Sequence, residues 1–309
     1  MKGDFQARFR ENLGVKFLGV TRLCASNKQL PMNEITPAEL EERTRSKINS
    51  GKKTKALIAF VDLLGFTNHL VTNWESNSDD FIKRVMTIKS FVELAKEKAK
   101  IHTFTKYDKT TIIDTTTYPD FITISDSFVF FKEIDETSPQ TRIIAILAII
   151  GSIYELWQSA INNGFTIRGA IEFGDVFYNN SEVIGPSYIN AYIGESKDAI
   201  TSRIICFPNV LQIINENVDS VDPVLQDYCK LWFKKEKDGW VIINPLTAFG
   251  IDHPERVQAA LEMVKEMEIG VESDSAKEKF KDLINYLSDN RDHYSDLDIF
   301  LSLIHISEP

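Results

Sequence analysis

The sequence predicts an α+β fold whose core is a β-α-β-β-α-β unit, a ferredoxin-like antiparallel sheet with helices on one face, followed by C-terminal helices. Three observations predict it. Ala56-Leu57-Ile58-Ala59-Phe60-Val61 is an unbroken apolar run, long enough for a buried strand and too short for a helix. Phe121-Ile122-Thr123-Ile124 and Ser127-Phe128-Val129-Phe130-Phe131 are separated only by Ser125-Asp126, the spacing of a tight hairpin. Apolar residues at helical spacing stand before that hairpin and after it.

In chain order, residues 1–50 read as a polar N-terminal extension in which Thr36 caps a short helix opened by Pro37. The first strand follows, ends at Asp62 and turns at Gly65. Residues 79–100 carry Phe81, Ile82, Val85, Met86, Ile88, Phe91, Val92 and Ala95 at helical spacing. Residues 102–119 are Thr-rich and read as a flexible or hairpin excursion. After the central hairpin, Ser138-Pro139 opens a long apolar helix that Gly164 closes. Residues 165–173 read as a strand that Gly174-Asp175 turns back into Val176-Phe177-Tyr178. A short helix over 186–195, strands over 203–207 and 239–243, and paired amphipathic helices over 254–294 complete the pattern. The chain thus divides into an extension (1–50), a main α+β domain (51–250), C-terminal helices (251–300) and a tail (301–309). Leu-Ser-Leu-Ile-His-Ile-Ser-Glu-Pro in that tail reads as a translated library adapter and is set aside from functional reasoning.

The chain has 309 residues, 43% apolar and 26% charged, a globular composition. Its 35 basic and 45 acidic residues give a net charge of −10, which disfavours a general nucleic-acid or anionic-membrane coat. A small polyphosphate needs only a local cation cluster or a metal, so that class of ligand stays open. Cys24, Cys206 and Cys229 are widely spaced, without zinc-ligand or disulfide patterning, and fit a reducing cytoplasm. His69, His102 and His253 show no ligand spacing. No signal-like segment opens the chain, and the longest apolar run, 143–150, is short of the ~20 residues a membrane helix needs.

Two acids stand where a sheet would deliver them to a site. Asp62 lies at the end of the first strand, and Asp126 sits at the tip of the hairpin. Asp is common at caps and turns, so each alone reads more readily as a cap or turn residue. Together, flanked by strongly apolar strands where an unpaired acid is costly, they read as a pair of oxygen ligands for a hard divalent ion.

Phe60-Val61-Asp62-Leu63-Leu64-Gly65-Phe66-Thr67 resembles the first metal-binding strand of class III nucleotide cyclases, and Ile124-Ser125-Asp126 is similar to their second metal site. Arg168-Gly169-Ala170-Ile171-Glu172-Phe173-Gly174 resembles a further strand of the family, with Ala170 in place of its first glycine. Gly185-Pro186-Ser187-Tyr188-Ile189-Asn190-Ala191-Tyr192-Ile193-Gly194-Glu195 falls where the family has its catalytic helix, and is most similar to the pyrimidine cyclases of Pycsar antiphage systems. The resemblance covers about residues 56–250 and rests on these four ordered blocks.

It implies a catalytic domain over 51–250 that converts UTP to 3′,5′-cyclic UMP and pyrophosphate, with CTP as the alternative substrate; a purine cyclase or a silent nucleotide-binding module are the remaining readings. Two Mn²⁺ or Mg²⁺ ions would be held by Asp62, Asp126 and the Leu63 carbonyl. Because the helix departs from the family's Asn and Arg register, another cation must meet the transition-state charge, and Arg168, Arg203 and Lys234 are the candidates; Arg168 reads equally as a strand residue in an ion pair. Leu64, Gly65, Phe66 and Thr67 would meet phosphates through backbone N–H groups. Phe60 packs the core or faces the base. Ile122 falls at the position of the family's adenine-selecting Lys and cannot hydrogen-bond a purine edge. Glu182 falls near the second base-selecting acid. Asn190 stands one place late in the helix, and Ile193 replaces the family's Arg. The family builds sites between subunits, so the resemblance also implies a head-to-tail homodimer and a partner effector switched on by the cyclic product.

Overall fold

The computed structural model describes residues 36–66, 70, 79–98, 101–106, 109–114, 118–134, 138–179, 181–249, 254–271 and 274–290. Cys24, Thr67, His69, His253 and the 301–309 tail lie outside the described residues. The chain forms two compact units, Met1–Asn49 and Ser50–Pro309. In the first, α1 (Pro37–Asn49) begins on a capping box. The Glu39 N–H donates to Thr36 Oγ1 at 3.2 Å, and the Thr36 N–H donates back to Glu39 Oε2 at 2.9 Å.

The second unit opens with β1 (Lys52–Leu64), α2 (Asp80–Lys98), the two-stranded hairpin β2 (Ile101–Lys106) and β3 (Lys109–Asp114), β4 (Asp120–Ile124), β5 (Ser127–Glu133), α3 (Pro139–Asn162) and β6 (Thr166–Tyr178). It continues through β7 (Val183–Ile184), α4 (Pro186–Lys197), β8 (Ile204–Cys206), α5 (Pro208–Asn217), α6 (Pro223–Trp232), β9 (Phe233–Lys235), β10 (Val241–Ile243), α7 (Pro245–Phe249), α8 (Pro254–Ile269) and α9 (Asp274–Asn290). The sheet order is β4-β5-β1-β6-β8-β10-β9. Its first four strands, with α2 and α3, are the β-α-β-β-α-β unit in ferredoxin-like order, with β1 antiparallel to both β5 and β6.

The unbroken apolar run of β1 follows from burial on both sides. Leu57, Ala59, Val61 and Leu63 face the main core, where Ile88 and Val92 of α2 and Ile146 and Trp157 of α3 are also buried. Ala56, Ile58 and Phe60 face the other way, beside Val129 and Phe131 and beneath Ala191 of α4. The principal helices therefore lie on one face, and the short α4 crosses the opposite one. Helix α3 is long and apolar enough in composition to span a bilayer, but 78% of its apolar window is buried inside the protein, as befits a core helix.

The structure corrects two boundaries. β1 does not stop at Asp62; it continues to Leu64, and Gly65 at φ 94° makes the turn. Nor does Gly174-Asp175 turn the chain: β6 runs straight through it, because the ladder to β1 continues from Ala56↔Gly174 and Lys55↔Asp175 to Lys52↔Tyr178. Helices α5, α6 and α7, unread in the sequence, pack on α3 with their apolar faces in the main core.

The β1–β6 contact leaves no room for a side chain at Gly169. A methyl there would collide with the Phe60 carbonyl oxygen and come within 3.1 Å of Val61 Cα. Gly169→Ala should cost about 1–3 kcal/mol by forcing the two central strands apart. Urea unfolding should show a lower midpoint at unchanged slope; an unchanged midpoint would mean that the strands separate freely.

Candidate functional site

Register builds the site. Asp62 lies opposite Ser127 of β5 on one side and Arg168 of β6 on the other, so all three side chains share the face on which α4 lies. Ser127 Oγ donates to Asp62 Oδ1 at 3.0 Å. Asp126 is in the two-residue turn between β4 and β5, where Ser125 adopts a left-handed φ of 56°. The Leu63 N–H donates to the Asp126 carbonyl at 3.2 Å, tying the two acidic segments together. Asp62 is thus a strand residue and no helix cap, whereas Asp126 is the turn residue its setting suggested.

Two further groups join them that sequence reasoning did not single out. Glu195 of α4 is 3% exposed, and Arg168 Nε stands 2.5 Å from its Oε1. That N–H is not aimed for a hydrogen bond, so the contact is an ion pair. Arg168 Nη2 is 3.8 Å from Asp62 Oδ2. Lys279, half-buried on α9, faces Arg168, Asp62 and Glu195 electrostatically. Glu195 had one legible signal, an acid in a helix of small and apolar residues. Lys279 had none, being one Lys among many in a Glu/Lys-rich helix.

Electrostatics mark the cluster as short of positive charge. Burial, and then the neighbouring Asp126 carboxylate, push the Asp62 carboxyl up to about 6, against the Ser127 hydrogen bond and the attraction of Arg168 and Lys279. Burial pushes Glu195 up to about 7, outweighing Arg168, with Asp62 and Asp126 adding repulsion. Tyr192, whose phenol also feels Glu195 and Asp62, is raised chiefly by burial.

Among the described residues no three His, Cys, Asp or Glu side chains form a closed metal cage. Two hard carboxylates at one end of a sheet, one of them raised by burial and then by the other, instead fit Mg²⁺ or Mn²⁺, ions that keep waters and substrate phosphates in their shells. The donor set fits the metal.

Other sequence candidates fall as follows. Phe60 packs edge-on against Tyr188 and Tyr192, at 6.0 and 5.3 Å between ring centroids. Ile122 is half-buried beside the same cluster. Leu64 is buried, and Phe66 packs on Phe81 at 5.2 Å. Gly65 makes the turn after Asp62. Asn190 hydrogen-bonds Glu172, a buried acid that Asn209 also engages.

Three candidates stand away from the acids. Arg203 is engaged elsewhere: Nη1 bonds Asp238 and Nη2 donates to the Asp198 carbonyl, each at 2.6 Å. Lys234 sits on the far edge strand, 3.6 Å above the Tyr286 ring and 3.2 Å from Glu236. Glu182 follows the opposite end of β6 from Arg168, roughly 30 Å along the strand, in a turn where its N–H donates to Asn179 Oδ1. The group near Asp62 is therefore Asp126, Arg168, Ser127, Glu195 and Lys279.

No family model matches the chain, and no curated protein does. Solved structures with similar folds include the adenylyl cyclase CyaB of P. aeruginosa (TM-score 0.38, 14% identity, 54% of this chain and 83% of that one). A guanylyl cyclase domain of the RhoGC fusion protein from Blastocladiella emersonii gives 0.39 and 13%, over 62% of this chain and 95% of that one. A bacterial light-regulated adenylyl cyclase gives 0.40 and 11%, over 76% and 65%. Likenesses this distant do not bear on what the chain does.

The raised Asp62 carboxyl has a stability consequence. In the metal-free protein it holds its proton more tightly than in the unfolded chain, so stability falls as pH rises from about 4 through about 6. Asp62→Asn should therefore be more stable than wild type by about 1–3 kcal/mol at pH 8 in chelator, with the gap closing near pH 4. Added Mn²⁺ should stabilise only the wild type. Denaturation curves at the two pH values check this; an Asn variant weaker at pH 8 contradicts it.

Proposed function

We propose that the chain is a metal-dependent class III nucleotide cyclase acting on a pyrimidine nucleoside triphosphate, converting UTP to 3′,5′-cyclic UMP and pyrophosphate. The observation that carries this is the meeting of Asp62 and Asp126 at one end of adjacent strands, with the first carboxyl raised by burial and then by the second. The ordered sequence blocks that resemble the family supply the reaction class. Ile122, apolar and beside Phe60, offers no hydrogen bond to a purine edge, which favours a pyrimidine. The helix that resembles the pyrimidine cyclases favours it too, with CTP as the alternative.

Asp62, Asp126 and the Leu63 carbonyl would hold two Mg²⁺ or Mn²⁺ ions. When bound, these ions would lower the pKa of the ribose 3′-hydroxyl and offset charge on the triphosphate. The 3′-oxygen attacks the α-phosphorus, and pyrophosphate leaves. Ser127 fixes the Asp62 carboxylate through its hydrogen bond, so the acid faces the reacting atoms in one orientation. Arg168, anchored by Glu195, stands beside Asp62 as the cation nearest to the charge that develops on the phosphoryl oxygens. Catalysis is then positioning and electrostatics, with no covalent protein intermediate.

The chain holds one copy of each block, so the proposal includes a head-to-tail homodimer with a site at each end of its contact. It also includes an effector that reads the cyclic product in antiviral defence.

Incubation with all four nucleoside triphosphates and Mn²⁺, read by product mass, tests the assignment. Cyclic UMP is the expected product. Asp62→Ala and Asp126→Ala should each lower turnover at least a hundredfold, about 2.7 kcal/mol of barrier, while far-UV circular dichroism stays native. Product from none of the four nucleotides contradicts the proposal.

A further inference from the structure

The C-terminal helix α9 brings a cation to the acidic cluster, and its anchoring is unlike that of a loose cover. Phe280, Leu283 and Leu287 of α9 are buried in the main core. Beside them, the Lys279 carbonyl accepts the Ser202 N–H at 3.0 Å. Ser202 is itself locked: its Oγ donates to the Ile167 carbonyl at 3.1 Å and is hydrogen-bonded to Thr166 Oγ1, which accepts the Trp157 indole N–H at 3.1 Å. A buried chain of polar groups thus runs from the core tryptophan of α3, across the start of β6, to the backbone of Lys279. Ile167 and Thr166 are the residues just before Arg168, so α9 is pinned to the strand end that carries the site.

The side chain is placed accordingly. Lys279 is half-buried and lies within electrostatic reach of Asp62, Glu195 and Arg168. Among the described residues its ammonium makes no hydrogen bond and no close ion pair, whereas Arg168 is committed to Glu195 and Asp62. Three N–H donors on a half-desolvated ammonium, within electrostatic reach of an acidic cluster and, among the described residues, bonded to none of its carboxylates, match an incoming polyanion. A helix held by core side chains and a buried hydrogen-bond chain does not swing away to admit substrate, so the ammonium is a standing part of the site.

We propose that Lys279 binds the polyphosphate of the substrate, making α9 part of the binding site of its own chain. This rests on the nucleotide-cyclase reading for the identity of the substrate, but its core claim is a phosphate contact that needs no turnover. The three carboxylates Asp62, Asp126 and Glu195 outnumber the two cations Arg168 and Lys279. A metal ion and a triphosphate can therefore enter together without expelling either cation.

Calorimetric titration of the full chain with inorganic tripolyphosphate, and separately with UMP, each in Mn²⁺, tests the contact. Lys279→Ala should weaken tripolyphosphate binding about tenfold or more, leave UMP binding unchanged, and recover in Lys279→Arg. Native circular dichroism of both variants excludes unfolding as the cause. Equal affinity of wild type and Lys279→Ala for tripolyphosphate overturns the proposal, as do a parallel loss for UMP and a wild type that binds no tripolyphosphate. If tripolyphosphate binds through Lys279 but no triphosphate is cyclised, the phosphate contact stands and the cyclase reading falls.

Discussion

Everything at the site depends on the pairing register of β1 between β5 and β6. With Asp62 opposite Ser127 and Arg168, its carboxylate emerges on the face where α4 brings Glu195. A slip of one residue would turn it into the core among Leu57, Val61 and Leu63, where an unpaired charge is prohibitively costly. The register is held because both faces of β1 are buried, and because close contacts admit no substitute. Gly169 lets β6 approach β1, and Gly194 lets α4 settle on Ala170, where an added methyl would come within 2.9 Å of the alanine Cβ. The polar site is thus a consequence of apolar packing.

That packing concentrates negative charge where the fold gains nothing from it. Asp62 is raised first by burial and then by Asp126, and Glu195 first by burial and then by Asp62 and Asp126. Arg168 and Lys279 offset part of the repulsion. Ser125, in a left-handed conformation that L side chains disfavour by roughly 1–2 kcal/mol, holds the hairpin tip that carries Asp126. Burial, like-charge repulsion and backbone strain meet within a few residues, as expected where an arrangement is kept for binding and chemistry rather than for stability.

Much of the core was legible because its signals are local. The continuous apolar run of β1, the two-residue hairpin between β4 and β5, and the long apolar α3 announce themselves in sequence, and with them the approach of Asp62 to Asp126. The boundary at Gly174 was misread because glycine signals a turn only when no ladder holds the chain, and the partner strand proved equally long. Arg203 was attractive as a nearby cation, yet its guanidinium is satisfied by Asp238 and the Asp198 carbonyl, which only tertiary structure reveals. Lys279 was invisible for the converse reason. It lies more than two hundred residues from Asp62 in an ordinary-looking charged helix, and only the hydrogen bond from Ser202 and the burial of Phe280 bring it back to the sheet.

The central claim is that Asp62 and Asp126 grip the same cation. A crystal soaked with Mn²⁺ and a 3′-deoxynucleoside triphosphate, which lacks the attacking hydroxyl, measures this directly through the anomalous signal of manganese. The account predicts a manganese peak in direct coordination with a carboxylate oxygen of each residue and with phosphate oxygens. Manganese bound to only one of the two acids, or absent from the end of β1 altogether, would contradict it.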